Sequence, residues 1–434
     1  MHILYVSQYF PPEMGAPAAR VSELARHWVQ AGHEVTVLTG FAHHPTGVKA
    51  GADRRCITRR EQWEGVNVIR SYVYATANKG AAKRMLSYAS FMTSAAMIGA
   101  VRVRKPDVVI ATSPQLLCAV GGYALAKRFR VPFVFEVRDL WPESIQAVEA
   151  MRDNFIMRGL KRTADNLYRR SDLIVTVGEG YRNEIHQLYN IPHDKMRIIH
   201  NGINASLFTP GERHNAVRRE FGWGDKTVLL YLGTHGMAHA LHKVLETAKR
   251  LAHRTDLHFA FVGEGAEKDH LKQLAADWNL PNVQFIDQQP KHRVPEFYAA
   301  CDFGLVTLRD TPLFQQVLPS KIFEYLAMQR PIILSVGGEA RKLVENAGAG
   351  RYVAPENVDD LAAAITDLAD DPATWQAMAA RGRQFVLDNF DRAEQARRYL
   401  TLLQPLAERR SPQQIPQLDH QLKMPQASGA DNDG

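Results

Sequence analysis

Short, nearly continuous apolar runs alternate with stretches of helical periodicity from one end of the chain to the other. In the first half the runs fall at residues 3–7, 34–38, 66–71, 108–111, 133–136, 173–177 and 197–200. In the second half they fall at 228–232, 258–262, 283–286, 303–306, 332–335 and 351–353. Runs without polar alternation suit parallel strands buried on both faces. Their alternation with helices predicts right-handed βαβ units, and the two series predict two doubly wound α/β domains in tandem. The segment from Asn201-Gly202-Ile203-Asn204 to Pro210-Gly211 is rich in turn formers and separates the series. The expected division is a first domain over 1–204, a linker over 205–214 and a second domain over 215–390. A final helix over 391–409 is available to pack back on the first domain. From 410 to 434 the chain is rich in Pro, Gln, Ser, Gly and Asp without periodicity, so a disordered tail is expected.

Composition narrows the chemistry. The chain has 434 residues, 45% hydrophobic and 23% charged, which is ordinary for a globular protein. Lys and Arg exceed Asp and Glu by 53 − 46 = 7. Spread over this length, the excess suits an anionic substrate or an anionic lipid surface and is too dilute for nucleic acid. Cys56, Cys118 and Cys301 form no Cys-x-x-Cys pair, so a disulfide framework and a structural zinc site are not indicated, and a reducing compartment is expected. The chain reads as a strand from His2 onward, so no secretory signal is expected.

The most informative segment is Leu318-Pro319-Ser320-Lys321-Ile322-Phe323-Glu324-Tyr325-Leu326-Ala327. A turn runs into a helix, with Ser320 placed as an N-cap. Lys321 falls in the first turn, where backbone N–H groups and the helix dipole already favour an anion. Glu324, three residues on, shares its face. One face then offers a phosphate clamp beside a carboxylate that can accept two hydroxyl hydrogen bonds. The same spacing also fits an ordinary surface ion pair. Earlier, Gly233-Thr234-His235-Gly236-Met237-Ala238-His239 follows a strand, and its glycines permit close approach of a ligand or merely a tight turn. His239 is expected near a helix start, which favours a neutral ring able to donate to an oxygen. Gly263-Glu264-Gly265 marks another turn at the carboxyl edge of the sheet, where ligands bind in open α/β folds.

In the first domain, Gly15 and the residues to Arg20 follow the first strand and leave room for a phosphate or an acceptor, or form a plain loop. Glu136-Val137-Arg138-Asp139-Leu140-Trp141-Pro142-Glu143 ends a buried strand with charges around a tryptophan. Charges there are costly unless paired or functional. Asp139 and Glu143 are candidates to bind or activate an acceptor hydroxyl and Arg138 to hold a phosphate. An Arg138–Asp139 ion pair is the alternative. Residues 85–101 carry no charge and are flanked by Lys79, Lys83 and Arg84, then by Arg102, Arg104 and Lys105. That stretch suits an interfacial helix on anionic lipid or a buried packing helix, and is barely long enough to span a bilayer. Asp431-Asn432-Asp433, in the tail, is not expected to bind metal. No nucleophile elbow, Walker loop, dinucleotide fingerprint or His-Glu-x-x-His is present.

Taken together, these motifs over residues 1–405 resemble a bacterial glycosyltransferase of family 4, with the GT-B fold of two Rossmann-like domains and a cleft between them. Within it, Pro319 to Tyr325, Gly233 to His239 and Glu136 to Glu143 are most similar to N-acetyl-L-fucosamine transferases of O-antigen and capsule synthesis. The resemblance implies that Glu324 binds the ribose, that Lys321 contacts the donor diphosphate, and that Gly233, Thr234 and Gly236 line the phosphate loop. It extends the donor-binding set to Gly15, His239, Gly263, Glu264, Gln316, Pro319 and Ser320, and gives Arg138, Asp139, Trp141 and Glu143 to the acceptor. Asp139, Arg138, Lys321 and Glu324 are the catalytic candidates. The sequence departs from the family at Gln316, where many members have glutamate, at Arg138, where many have histidine, and around Gly233, where the usual Arg and Lys are missing. These departures shift phosphate binding onto Lys321 and Arg138.

The implied enzyme needs no metal or other cofactor and retains anomeric configuration, with Asp139 orienting the acceptor hydroxyl. Its expected partners are a nucleotide-sugar donor, UDP-linked before GDP-linked, a polyprenyl-diphosphate-linked saccharide acceptor and an anionic membrane surface. Its expected place is the cytoplasmic face of the cell membrane. A non-hydrolysing UDP-sugar 2-epimerase of the same architecture, and a non-catalytic nucleotide-sugar-binding scaffold, stay open as alternatives.

Overall fold

In the computed structural model, which describes residues 1–13, 15–43, 47–76, 81–113, 115–147, 154–409, 414–417 and 422–423, every expected strand is present within two residues of its expected ends. The first sheet contains β1 (His2–Val6), β2 (Glu34–Gly40), β3 (Thr58–Trp63), β4 (Val66–Ser71), β5 (Val108–Thr112), β6 (Phe133–Val137), β7 (Leu173–Thr176) and β8 (Met196–Ile198). Their order is β3-β4-β2-β1-β5-β6-β7-β8. The second contains β9 (Thr227–Leu232), β10 (Leu257–Val262), β11 (Val283–Ile286), β12 (Phe303–Thr307), β13 (Ile332–Ser335) and β14 (Gly350–Tyr352), in the order β11-β10-β9-β12-β13-β14. All strand pairs are parallel except β3 with β4.

Strand β3 was not expected. Its sequence, Thr58-Arg59-Arg60-Glu61-Gln62-Trp63, is polar and half-exposed because it closes the sheet edge, and a charged edge strand resists pairing with another chain. In each sheet the strand order reverses beside the unit's first strand, between β1 and β5 and between β9 and β12. Ligands bind at the carboxyl ends of such positions.

The chain divides into Met1–Asn201 with Arg392–Asp419, and Gly202–Asp391 with His420–Gly434. The last helix, Arg392–Ala407, joins the first unit. Tyr399, Leu402, Leu403 and Leu406 enter the core that holds Ile3, Tyr5 and Trp28. The Trp28 indole donates to the Ala396 carbonyl at 3.0 Å. Each buried leucine contributes about 1.5–3 kcal/mol relative to exposure, enough to hold the returning helix.

The expectation of a disordered tail fails at two places. Ile415 is 2% exposed in the same core, and Arg197 donates to the Ile415 and Pro416 carbonyls at 2.9 and 2.7 Å. Lys423 exchanges two backbone hydrogen bonds with the Asn389 side chain. Asp431-Asn432-Asp433 lies outside the described residues.

The helix Ala81–Arg102 packs against the helix Leu116–Phe129, β2 and β4, burying Tyr88, Phe91, Ala95 and Gly99 on one face, and its other face exposes Leu86, Met97 and Val101. Among the described residues no helix is long and apolar enough to cross a membrane.

Candidate functional site

In the second unit the site lies at the carboxyl ends of β9 and β10, against the helix Lys321–Ala327. The Tyr325 hydroxyl donates to the Leu230 carbonyl at 2.6 Å, which fixes the helix against β9. β9 ends at Leu232, and Gly233 follows with φ +152°, a conformation that favours glycine. A Cβ on Gly233 would lie 2.9 Å from Lys321 Nζ, so the amine lies directly against this turn. That nitrogen sits 3.7 Å from the Tyr231 ring centroid. It is buried and has no hydrogen-bond partner. Burial lowers its pKa to about 7, against the pull of Glu324. The reading of Lys321 and Glu324 as an exposed ion pair is therefore excluded. Glu324 Oε2 accepts from the Tyr298 hydroxyl at 2.5 Å, and Tyr298 packs edge-on to Tyr325.

Two histidines flank the amine. His235 is fully buried among Tyr231, Phe261 and Phe285, and neither ring nitrogen has a partner. Burial, helped by Lys268 and Lys321, lowers its pKa to about 4. His239 drops to about 3, again from burial first and Lys321 second. The expected neutral ring is present, but its cause is burial rather than a helix start. His239 ends a 3-10 turn, Met237–His239, whose last carbonyl accepts from the Thr307 hydroxyl at 2.6 Å.

Other expected donor residues divide. Thr234 is exposed, and its carbonyl accepts from the Tyr231 hydroxyl. Gly236 stands beside it, with 3.6 Å of clearance for a Cβ, so space does not demand glycine there. Gly263 is demanded by packing instead: a Cβ would meet the Gly233 carbonyl oxygen at 2.0 Å. Glu264 turns its carboxylate to Lys268 at 2.6 Å, and Lys268 also holds Asp287. Gln316 ends the half-buried 3-10 turn Phe314–Gln316. Ser320 corrects the expected cap. It has helical φ and ψ, its side chain makes no capping bond, and the Pro319 and Ser320 carbonyls accept from Ile322 and Phe323 in a tight first turn.

In the first unit the site forms where β5 and β6 end. Their register sets Thr112 opposite Glu136. Glu136 is completely buried. It accepts from the Tyr5 hydroxyl at 2.5 Å, the Thr112 hydroxyl at 2.9 Å and Arg20 Nε at 3.0 Å. Although burial works the other way, Arg20 and Arg138 hold its pKa below the usual range. Arg138 Nε donates to the Thr112 hydroxyl at 2.7 Å and lies 3.7 Å from Glu136. The alternative of an Arg138–Asp139 ion pair gives way to this contact with Glu136. Asp139 accepts from the Ser144 hydroxyl at 3.1 Å, and burial raises its pKa to about 6. That suits a carboxyl able to exchange a proton near neutrality. Trp141 packs edge-on to Tyr88. Glu143 accepts from the Tyr189 hydroxyl, and burial pushes its pKa up. Gly15, with φ +118°, caps the helix Ala16–Gln30.

Sequence reasoning missed Glu136, Arg20, Tyr5, Tyr231 and Tyr298. The first two carried a signal, since each is a charge at a core position: Glu136 inside the apolar strand Phe133–Val137, Arg20 on the buried face of a helix. Among the described residues no cluster of three or more His, Cys, Asp or Glu is placed to hold a metal ion.

Comparison with known proteins adds to this geometry. Residues 15–202 match the family model "Glycosyl transferase 4-like domain", and residues 214–385 match "Glycosyl transferases group 1". The putative colanic acid biosynthesis glycosyl transferase WcaI of Escherichia coli (strain K12) is 27% identical over 388 residues, covering 84% of this chain and 91% of that protein. Sucrose-phosphate synthase from Thermosynechococcus elongatus shares the fold with a TM-score of 0.77 at 18% identity, over 94% of this chain and 99% of that one. Anabaena HepE, solved in complex with UDP-glucose, superposes with a TM-score of 0.71 at 16% identity, over 93% of this chain and 99% of that one.

Proposed function

We propose that this chain, a glycosyltransferase of the family 4 type with the GT-B fold, moves a sugar from a UDP-sugar to a lipid-linked saccharide in the synthesis of a bacterial surface polysaccharide. The observation that carries the donor assignment is the buried Lys321 amine, without a hydrogen-bond partner, at the mouth of the Gly233 turn. A buried cation with no partner is costly. A diphosphate entering the turn would satisfy it and raise its pKa, so the amine is charged when the leaving group needs it. Glu324, already fixed by Tyr298, is placed to accept from a ribose diol. The choice of UDP is supported by the UDP-glucose complex of HepE, and the polysaccharide role by the name of WcaI.

In this reading Lys321 and the polar backbone of the turn stabilise the departing diphosphate, and the enzyme works without a metal cofactor. Asp139 orients the acceptor hydroxyl and retention follows. The acceptor is a polyprenyl-diphosphate-linked saccharide, and an N-acetylaminosugar such as N-acetyl-L-fucosamine is the transferred group. The exposed Leu86, Met97 and Val101, with Lys83, Arg102 and Arg104 exposed around them, face anionic lipid at the inner surface of the cell membrane. The group 1 match sets aside the epimerase and scaffold alternatives.

The direct test is nucleotide release from a panel of UDP-, GDP- and dTDP-sugars, with and without lipid-linked acceptor. Acceptor-dependent release from a UDP-sugar, abolished in Lys321→Ala and Glu324→Ala, is expected. Full activity in both variants would overturn the site assignment.

A further inference from the structure

We infer that Lys321 is a modification site for carbon dioxide: its buried amine adds CO2 to form a carbamate, which closes the Gly233 turn to nucleotide. Formation of the carbamate does not depend on the proposed function. Its competition with nucleotide rests on that reading.

Two lysines of the second unit are drawn into the protein and meet opposite surroundings. The Lys268 side chain is 6% exposed, and its amine donates to Glu264 and Asp287 at 2.6 Å each. Burial works against its proton, but the two carboxylates outweigh burial and its pKa is raised. That nitrogen keeps its proton and has no lone pair to offer. Lys321 Nζ is buried too, 3.7 Å from the Tyr231 ring centroid and against the Gly233 turn, with no hydrogen-bond partner. Burial takes its pKa to about 7 against the pull of Glu324, so a large share of it is neutral in a neutral solution. A desolvated, unprotonated lysine is the form in which an amine acts as a nucleophile.

The surroundings choose the electrophile. The nitrogen is enclosed by an aromatic ring and a backbone turn, so a small uncharged molecule reaches it at the least cost in desolvation. Carbon dioxide is both small and uncharged. The amine lone pair attacks its carbon and a C–N bond forms. One C=O π pair moves onto oxygen, and the N–H proton leaves to water. The product is a carboxylate among basic groups. His235 is fully buried with neither ring nitrogen partnered, and His239 Nδ1 has no partner either. Both rings are neutral, with pKa values of about 4 and 3. A neutral imidazole still carries one N–H, so His235 has an unspent donor that an anion gives an acceptor. Glu324 is the opposing charge, and the Tyr298 hydroxyl already holds one of its oxygens. Carbamate formation therefore turns an anion-binding amine into an anion, which repels a diphosphate.

The test uses the full wild-type chain in buffer equilibrated with isotopically labelled carbon dioxide at pH 7.5. Triethyloxonium ion traps carbamates as stable ethyl esters, and peptide mass spectrometry locates them. A labelled ester is expected on Lys321 and not on Lys268, and UDP added beforehand is expected to prevent it. In calorimetric titration, UDP is expected to bind at least about threefold more weakly under carbon dioxide than in nitrate of the same ionic strength and pH. Nitrate controls for simple competition by an anion. Lys321→Arg keeps a cation that cannot lose its proton, so its UDP affinity should be the same in both buffers. No ester on Lys321, or equal labelling of Lys268, would overturn the modification site. Equal UDP affinity of the wild type in the two buffers would overturn the competition. Failure of UDP to bind in nitrate would instead count against the donor assignment, and the ester on Lys321 would still decide the modification.

Discussion

Each unit carries a buried cation at the carboxyl edge of its sheet, but the two are kept by opposite means. In the first unit Arg138 leans on Glu136, which Arg20, Tyr5 and Thr112 already hold, so the charge is permanent. In the second, Lys321 has an aromatic ring beneath it, two neutral histidines nearby and no hydrogen-bond partner, so its charge is conditional. A guanidinium supplies fixed recognition. An amine whose pKa has fallen to about 7 supplies a charge that appears when an anion arrives. The difference follows from which residue stands at equivalent edges of two similar sheets.

The largest test of the contrast is Glu136→Gln. It strands two buried guanidinium groups and is expected to cost about 3–5 kcal/mol in urea denaturation. A cost below about 1 kcal/mol would mean that Arg138 does not depend on that carboxylate. Lys321→Met is the opposite case. It removes a desolvated amine that nothing satisfies, so ligand-free stability should hold or rise by on the order of 1 kcal/mol. Transfer, however, should fall at least about a hundredfold. A destabilised, active Lys321→Met protein would reverse the account.

A pH series sharpens the contrast. In the unfolded chain a lysine keeps its proton to about pH 10.4, whereas folded Lys321 releases it near 7. Between those values the unfolded state binds more protons, so ligand-free stability should rise with pH. Below pH 7 both states are protonated and the burial cost is fully present. Lys321→Met should flatten that arm, while Arg138→Gln should leave it. An unchanged arm in Lys321→Met would place the titration elsewhere. The smallest expected effect is at Ser320. Because its side chain caps nothing, Ser320→Ala should change stability by less than about 0.5 kcal/mol. Asn357→Ala, which removes a cap that accepts from Asp359 and Asp360, should cost about 1 kcal/mol. Equal costs would show that Ser320 caps after all.

The same contrast explains what the sequence made legible. Apolar runs located the parallel strands because burial on both faces leaves no polar alternation to misread. Strand β3 escaped because an antiparallel edge is half-wet and carries Arg59, Arg60 and Glu61. Lys321 and Glu324 were legible because their spacing on one helix is local. Tyr231 and Tyr298, which hold them, come from other elements and leave no local trace. The tail was misjudged at Ile415, where one apolar side chain among prolines and glutamines is enough to dock a short segment.

The central claim is that Lys321 meets the nucleotide diphosphate and takes up a proton as it does so. Calorimetric titration of UDP at pH 6.5 and pH 8.5, in buffers of different ionisation enthalpy, tests it most directly. The account predicts tighter binding at pH 6.5, net proton uptake at pH 8.5, and weak, pH-independent binding in Lys321→Met. Equal UDP affinity for the wild type and Lys321→Met at pH 6.5 would contradict it.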